Sequence, residues 1–138
     1  MGNAITSLKE HHIELLGLSK QLVSALDAQD LDSCVDDIRL LFTKLLGHLE
    51  FHLLSEDEHL YPVLLQHPDE RVRWTAERFM EQLGGLANAV EMYKANWRGR
   101  EQILAEPESF GHDMRVLVAA LAKRINKEEN ELFPLVAA

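Results

Sequence analysis

His48-Leu49-Glu50-Phe51-His52-Leu53-Leu54-Ser55-Glu56-Asp57-Glu58-His59-Leu60-Tyr61-Pro62 is the stretch on which the reading of this chain turns. At about 100° per residue, measured from His48, the nearby Leu41, Leu45, Leu49, Leu60 and Val63 fall within an arc from roughly 20° to 120°. That period is helical, and the arc is a core-facing stripe. Glu56 lands at about 80°, inside the stripe, His52 at about 40°, and His59 at about 20°, on its edge beside His48. His48, His52 and Glu56 therefore stack at i, i+4 and i+8. A carboxylate turned into a core costs several kcal/mol unless it is paired, protonated or bound to a cation.

The same turn occurs again. Glu56-Asp57-Glu58-His59-Leu60-Tyr61-Pro62 aligns with Glu128-Glu129-Asn130-Glu131-Leu132-Phe133-Pro134, a spacing of 72 residues. Each copy carries a proline that is expected to bend or end its helix.

Around these copies the pattern predicts four helices. The first carries Ile5, Leu8, His12, Leu15, Leu16, Leu22, Val23 and Leu26 on one face, with Ser7-x-x-Glu10 or Asn3 as its start. After a polar joint, Asp27 to Asp32, the second runs from about Leu31 to Leu65 and stops at Gln66-His67-Pro68. The third starts near Asp69, presents Val72, Ala76, Phe79, Leu83, Leu86, Val90 and Trp97, and ends by Arg98-Gly99. A linker (Arg100 to Glu106) precedes Pro107, which suits the first turn of a fourth helix carrying Phe110, Met114, Leu117, Leu121 and Ile125. No stretch alternates apolar and polar residues as a strand would. The expectation is an all-α, antiparallel up-down-up-down four-helix bundle forming a single domain over residues 1–138.

Composition narrows the partners. The chain has 138 residues, 14 Lys+Arg and 23 Asp+Glu, and a formal charge of −9. Nucleic-acid binders draw affinity from cations against phosphates, so that class is excluded. No segment approaches the ~20 apolar residues of a membrane span or forms a signal peptide. Cys34 is the only cysteine, which points to a reducing cytoplasm and rules out a thiolate cluster.

Two core carboxylates, Glu56 and Glu128, with the core histidines His12 and His52, call for a common partner. Imidazole with carboxylate is the ligand set of iron, manganese or zinc, and bundles build such sites from inward side chains on facing helices. His48 and His59 are either rim residues or extra ligands. His11 and His112 lie off the stripes and are expected in solvent, while His67 is in a turn. Met80 reads as core packing, and Gly84-Gly85 as a close approach between helices. Phe51, Leu54 and Trp74 fall off the core stripes and offer a surface to a second copy or a protein partner.

His12, then His52-Leu53-Leu54-Ser55-Glu56, then Leu60-Tyr61-Pro62, with the acidic-x-x-Leu-aromatic-Pro turn doubled, resembles the hemerythrin-like, or HHE cation-binding, family. The resemblance covers nearly the whole chain. It implies a four-helix bundle around a non-haem di-iron centre that binds or senses dioxygen, nitric oxide or iron. The second half departs from that pattern. The repeat places Arg124 opposite His52, and no histidine lies between Pro68 and Gly111. Arg124 is permanently charged and its fork of donors matches carboxylates, so it stands in for one metal's positive charge. Two readings remain: a partial, mononuclear iron (or other divalent metal) site at His12, His52, Glu56 and Glu128 that serves in sensing; or a metal-free regulatory bundle that binds a partner. No nucleophile–base pair or phosphate loop suggests an enzyme.

Overall fold

The computed structural model describes residues 2–28 and 30–136. Among them there is helix and turn but no strand. Helix α1 (Gly2–Ala28) is already helical at Gly2, so Ser7 lies inside it rather than starting it. Helix α2 (Leu31–Ser55) continues through a π-helical turn, π1 (Glu56–Leu60), into α3 (Tyr61–Leu64). Helices α4 (Glu70–Leu83) and α5 (Leu86–Asn96) form the third rod. The expected linker is a short helix, α6 (Arg100–Ala105), which buries Ile103 completely. Helix α7 (Pro107–Lys127) leads through a second π turn, π2 (Glu128–Leu132), into α8 (Phe133–Val136). α1 packs on α2 and α7, α5 packs on the same two, and α4 closes against α3 and π2. This is the helical bundle that the pattern predicts.

The two π turns coincide with the two copies of the acidic repeat. Pro62 and Pro134 have no backbone N–H, and a proline ring collides with the carbonyl four residues back in a regular helix. The widened turn relieves both problems. The Tyr61 N–H reaches back five residues to the Glu56 carbonyl, and Phe133 reaches Glu128 in the same way. The helix thus carries on past each proline instead of ending. One extra residue in the turn also sets the phase beyond it back by about 100°. Val63, expected in the core, is therefore exposed, and Tyr61 and Leu64 are buried in its place.

Most other stripe residues lie where the periodicity puts them. Val72, Ala76, Phe79, Leu83, Leu86, Val90 and Trp97 are buried, as are Phe110, Met114, Leu117, Leu121 and Ile125. Leu16 and Met80 are the exceptions, both exposed on the outer faces of their helices. The apolar core is divided. A larger cluster includes Leu15, Leu45, Leu49, Phe110 and Leu121; a smaller one includes Ile5, Leu8, Leu60, Leu64, Phe79 and Phe133. The buried polar side chains occupy the level between them rather than the extreme end of the bundle.

The break between α4 and α5 has a local cause. A side chain at Gly84 would strike the carbonyl of Met80 in its own chain, whereas one at Gly85 would meet nothing within 4 Å. Gly84 thus serves the turn rather than a close approach of two helices. Gly84→Ala is expected to cost about 1–3 kcal/mol, as overpacking does. Gly85→Ala, in a right-handed helical conformation open to any residue, should be neutral or stabilising by up to about 1 kcal/mol. Urea unfolding of the two variants measures the difference, and the reverse order would refute this assignment.

Candidate metal centre

Three continuous helical rods each deliver one or two polar side chains to a single point. α1 brings His12, α2 brings His52, π1 begins with Glu56, and the end of α7 with π2 brings Arg124 and Glu128. All five are buried: His12, Glu56 and Glu128 are wholly inaccessible. One donor atom from each of His12, His52, Glu56 and Glu128 lies within 4.8 Å of the others.

Each of the four also has an outer partner. His12 Nδ1 donates to Glu129 Oε2 at 2.6 Å, because a carboxylate can only accept there. His52 Nδ1 meets His11 Nδ1 at 3.2 Å. Tyr61 Oη donates to Glu128 Oε2 at 2.8 Å, and Arg124 Nη2 donates to Glu56 Oε1 at 2.9 Å. His12 Nε2, His52 Nε2 and Glu128 Oε1 face one another, and His52 Nε2 also lies 3.2 Å from Glu56 Oε1, the oxygen that Arg124 holds. Glu128 Oε1 and Glu56 Oε2 are buried carboxylate oxygens without a hydrogen-bond partner. The two Nε2 atoms stand 3.1 Å apart, and His12 Nε2 is 3.2 Å from Glu128 Oε1. Four lone-pair atoms converging in a dry space need a cation or protons among them.

Arg124 does more than pair with Glu56. Its Nε reaches Glu128 Oε2 at 3.4 Å, and its Nη1 donates to the Leu83 carbonyl at 3.2 Å, satisfying the end of α4 where the chain breaks. Burial works against its charge, but Glu56 and Glu128 outweigh burial and raise its pKa. Burial, with Glu128 beside it, pushes Glu56 well above the usual carboxylate range. Burial pushes Glu128 the same way, yet contacts with His12, Glu56, Arg124 and Tyr61 prevail and hold it low. His52 is lowered to about 3 by burial and then by His12, so it is neutral at pH 7. Tyr61 is raised, mainly by burial and then by Glu128, and stays a donor.

Neither His48 nor His59, offered by the sequence as further ligands, joins the set. His48 is 48% exposed and lies 3.5 Å from Glu14, while His59 is 77% exposed beside Glu58. His11 is a correction in the other direction: it is half-buried against His52 and Phe51, not in solvent. Periodicity alone did not single out Glu129 or Tyr61. Their signal was the repeat itself, which marks an acidic pair at the start of each π turn and an aromatic just after it. His112, Phe51, Leu54 and Trp74 are exposed as expected, and Arg78 lies 4.5 Å over the Trp74 ring.

An all-helical bundle with inward His and Glu ligands defines a cation-binding helical domain. The chain belongs to the hemerythrin family, described as the hemerythrin HHE cation binding domain, which matches residues 3–136. No curated protein and no solved structure matches it. No helix among the described residues is long and apolar enough to cross a membrane.

The pKa shifts give the metal-free protein a distinctive acid response. His52 has a depressed folded pKa, so its contribution to stability falls as pH drops from 6.5 towards about 3. Glu56, raised, contributes in the opposite sense above pH 4.5, and Glu128, lowered, loses stability below pH 4.5. Between pH 6.5 and 4.5 the His52 and Glu56 effects oppose each other. Below pH 4.5 His52 and Glu128 act together, at about 1.4 kcal/mol per pH unit for each proton. Denaturant unfolding in chelator across this range should show a shallow region followed by a steep one. A uniform slope would contradict the assignment.

Proposed function

We propose that the chain binds one non-haem divalent metal ion, iron in the first instance, through His12, His52, Glu56 and Glu128, for binding or sensing dioxygen, nitric oxide or iron. The observation that carries this reading is the convergence of two buried imidazoles and two buried carboxylates, with one ligand atom of each within 4.8 Å of the others. These residues fit the group: the donors are borderline and hard, matched to iron, manganese or zinc. An ion there would supply Lewis acidity and, if iron, a one-electron redox couple. The protein's own part is orientation. Glu129 keeps the His12 proton on Nδ1, leaving the Nε2 lone pair inward, while Tyr61 holds Glu128 Oε2 and Arg124 holds Glu56 Oε1.

Arg124 also supports a single ion rather than two. It brings permanent charge into the position that corresponds to His52 in the repeat, and α4 presents Phe79 and Leu83 there rather than ligands. The lone buried Cys34 suits a reducing cytoplasm.

A second reading has its own observation. Without metal the histidines form a closed chain: His11 Nδ1 donates to His52 Nδ1, His52 Nε2 to His12 Nε2, and His12 Nδ1 to Glu129. With a proton on Glu56 and Arg124 against both carboxylates, the centre holds together as a structural polar layer in a partner-binding bundle. Metal must displace protons from this arrangement, so its affinity should rise with pH.

Elemental analysis of tag-free protein decides between them. At most about one ion per chain is expected, and chelator should lower the melting temperature of the wild type. Arg124→Ala should be mild in the loaded protein. In the metal-free state it should cost about 3–5 kcal/mol at neutral pH, partly recovered on mild acidification as the stranded carboxylates take up protons. A protein that holds no metal and is indifferent to chelator, but collapses on Arg124→Ala, would establish the structural reading instead.

Glu129→Gln tests the orienting role separately. It keeps the side chain's size but replaces the acidic acceptor, so metal affinity should fall about 10–100-fold with little change in fold. Unchanged affinity by competition with a chromogenic chelator would remove Glu129 from the centre.

A further inference from the structure

We infer that the groove between α5 and α7 is a binding site, separate from the buried centre, for an amphipathic monocarboxylate of medium chain length. The groove has a volume of about 260 Å³. It exists because small residues meet where the two helices face each other: Gly85 and Ala89 on one side, Ala120 on the other. A side chain added at Gly85 would meet nothing within 4 Å, so that end is open space. The floor is apolar, with Leu83, Leu86 and Leu117 buried beneath it. Val116, 46% exposed, stands at the rim as an apolar side chain that a bound hydrocarbon would cover. The Arg124–Leu83 contact marks one end and the Trp97–Asp113 hydrogen bond the other, so α5 and α7 run antiparallel along the groove. From Gly85 to Tyr93, and from Val116 to Arg124, the lining covers eight residue steps. At 1.5 Å per residue the groove is about 12 Å long.

The two ends differ in charge, and that difference selects the ligand. Lys123 and Gln82 stand exposed at the end beside the α4–α5 break, and neither has a hydrogen-bond or ion-pair partner among the described residues. Arg124 lies at the same end. Three of its five N–H groups go to Glu56, Glu128 and the Leu83 carbonyl, which leaves two. At the far end Tyr93 is half-buried, and beyond it lies Asp113, held by the Trp97 indole N–H at 2.9 Å. Burial and then Asp113 raise the Tyr93 pKa, so an anion is disfavoured there. An apolar cleft with a few polar groups gathered at one place is the usual form of a small-molecule site. A carboxylate is turned towards Lys123, with the Gln82 amide as a second donor, and its chain runs over the leucines towards Tyr93. One unpaired ammonium and one amide match a singly charged carboxylate rather than a phosphate, which draws arginine forks and helix N-termini.

The experiment is calorimetric titration of the tag-free chain in EDTA with hexanoate, heptanoate, octanoate and octanol, all below micellar concentrations. Affinity should rise about fourfold with each added methylene as it is buried. Octanol should bind about fivefold more weakly than octanoate, and Lys123→Gln should remove that difference. Ala120→Leu, which fills the groove from α7, should abolish binding while the melting temperature in EDTA stays that of wild type. A wild type that binds no octanoate overturns the site, as does an Ala120→Leu variant that binds it as tightly as wild type. Octanol bound as tightly as octanoate, or octanoate binding indifferent to Lys123→Gln, overturns the carboxylate assignment. Because EDTA keeps the buried centre free of metal, none of these outcomes depends on whether His12, His52, Glu56 and Glu128 hold an ion.

Discussion

Glu56 and Glu128 are carboxyl groups with no access to water, and the arrangement of the rest of the bundle depends on how their charge is met. Arg124 meets part of it, forking to both carboxylates while also holding the free carbonyl of Leu83. One guanidinium against two carboxylates leaves one negative charge uncompensated, and the raised pKa of Glu56 is the physical expression of that deficit. A proton or a metal ion answers it equally well on electrostatic grounds. The inward orientation of both histidine Nε2 atoms gives the metal a ligand set that a proton alone does not need.

The π turns make this convergence possible. A regular helix through Glu56 or Glu128 would meet a proline that can neither donate to the backbone ladder nor clear the carbonyl four residues behind it. Widening the turn absorbs the proline and rotates the residues beyond it. Tyr61 then comes round to hold Glu128, and Phe133 stacks on the His12 ring at 5.8 Å. Because both halves of the repeat use the device, the two acidic turns face each other across the bundle, between the larger and the smaller apolar clusters.

The two halves have diverged in what they present. The first supplies a histidine and a carboxylate from one helix face. The second keeps the carboxylate and substitutes a fixed cation for the histidine. α4 contributes packing, a carbonyl and a break, but no ligand. A centre built this way is asymmetric, with metal-type donors on the α1–α2 side and permanent positive charge on the α4–α7 side.

The sequence by itself determined the helical class, most of the core stripes of the third and fourth rods, and the burial of His12, His52, Glu56 and Glu128, while the repeat placed Arg124 beside the carboxylates. The stripes and the buried set come from a period of 3.6 residues, and a polar residue at a core phase is visible without coordinates. The tertiary structure alone decided the rest. Val63 turns outward and Tyr61 inward because a π turn resets the helical phase, and constant-angle counting does not register such a step. Glu129 reaches His12 across 117 residues, and His11 reaches His52 across 41; contacts between helices depend on axial offset and rotation, which one helix's periodicity does not contain. His48 and His59 sit on the same edge of the same stripe by angle. Only the packing of α1 against α2 and the turn at Glu56 set one over a cleft and the other in open solvent.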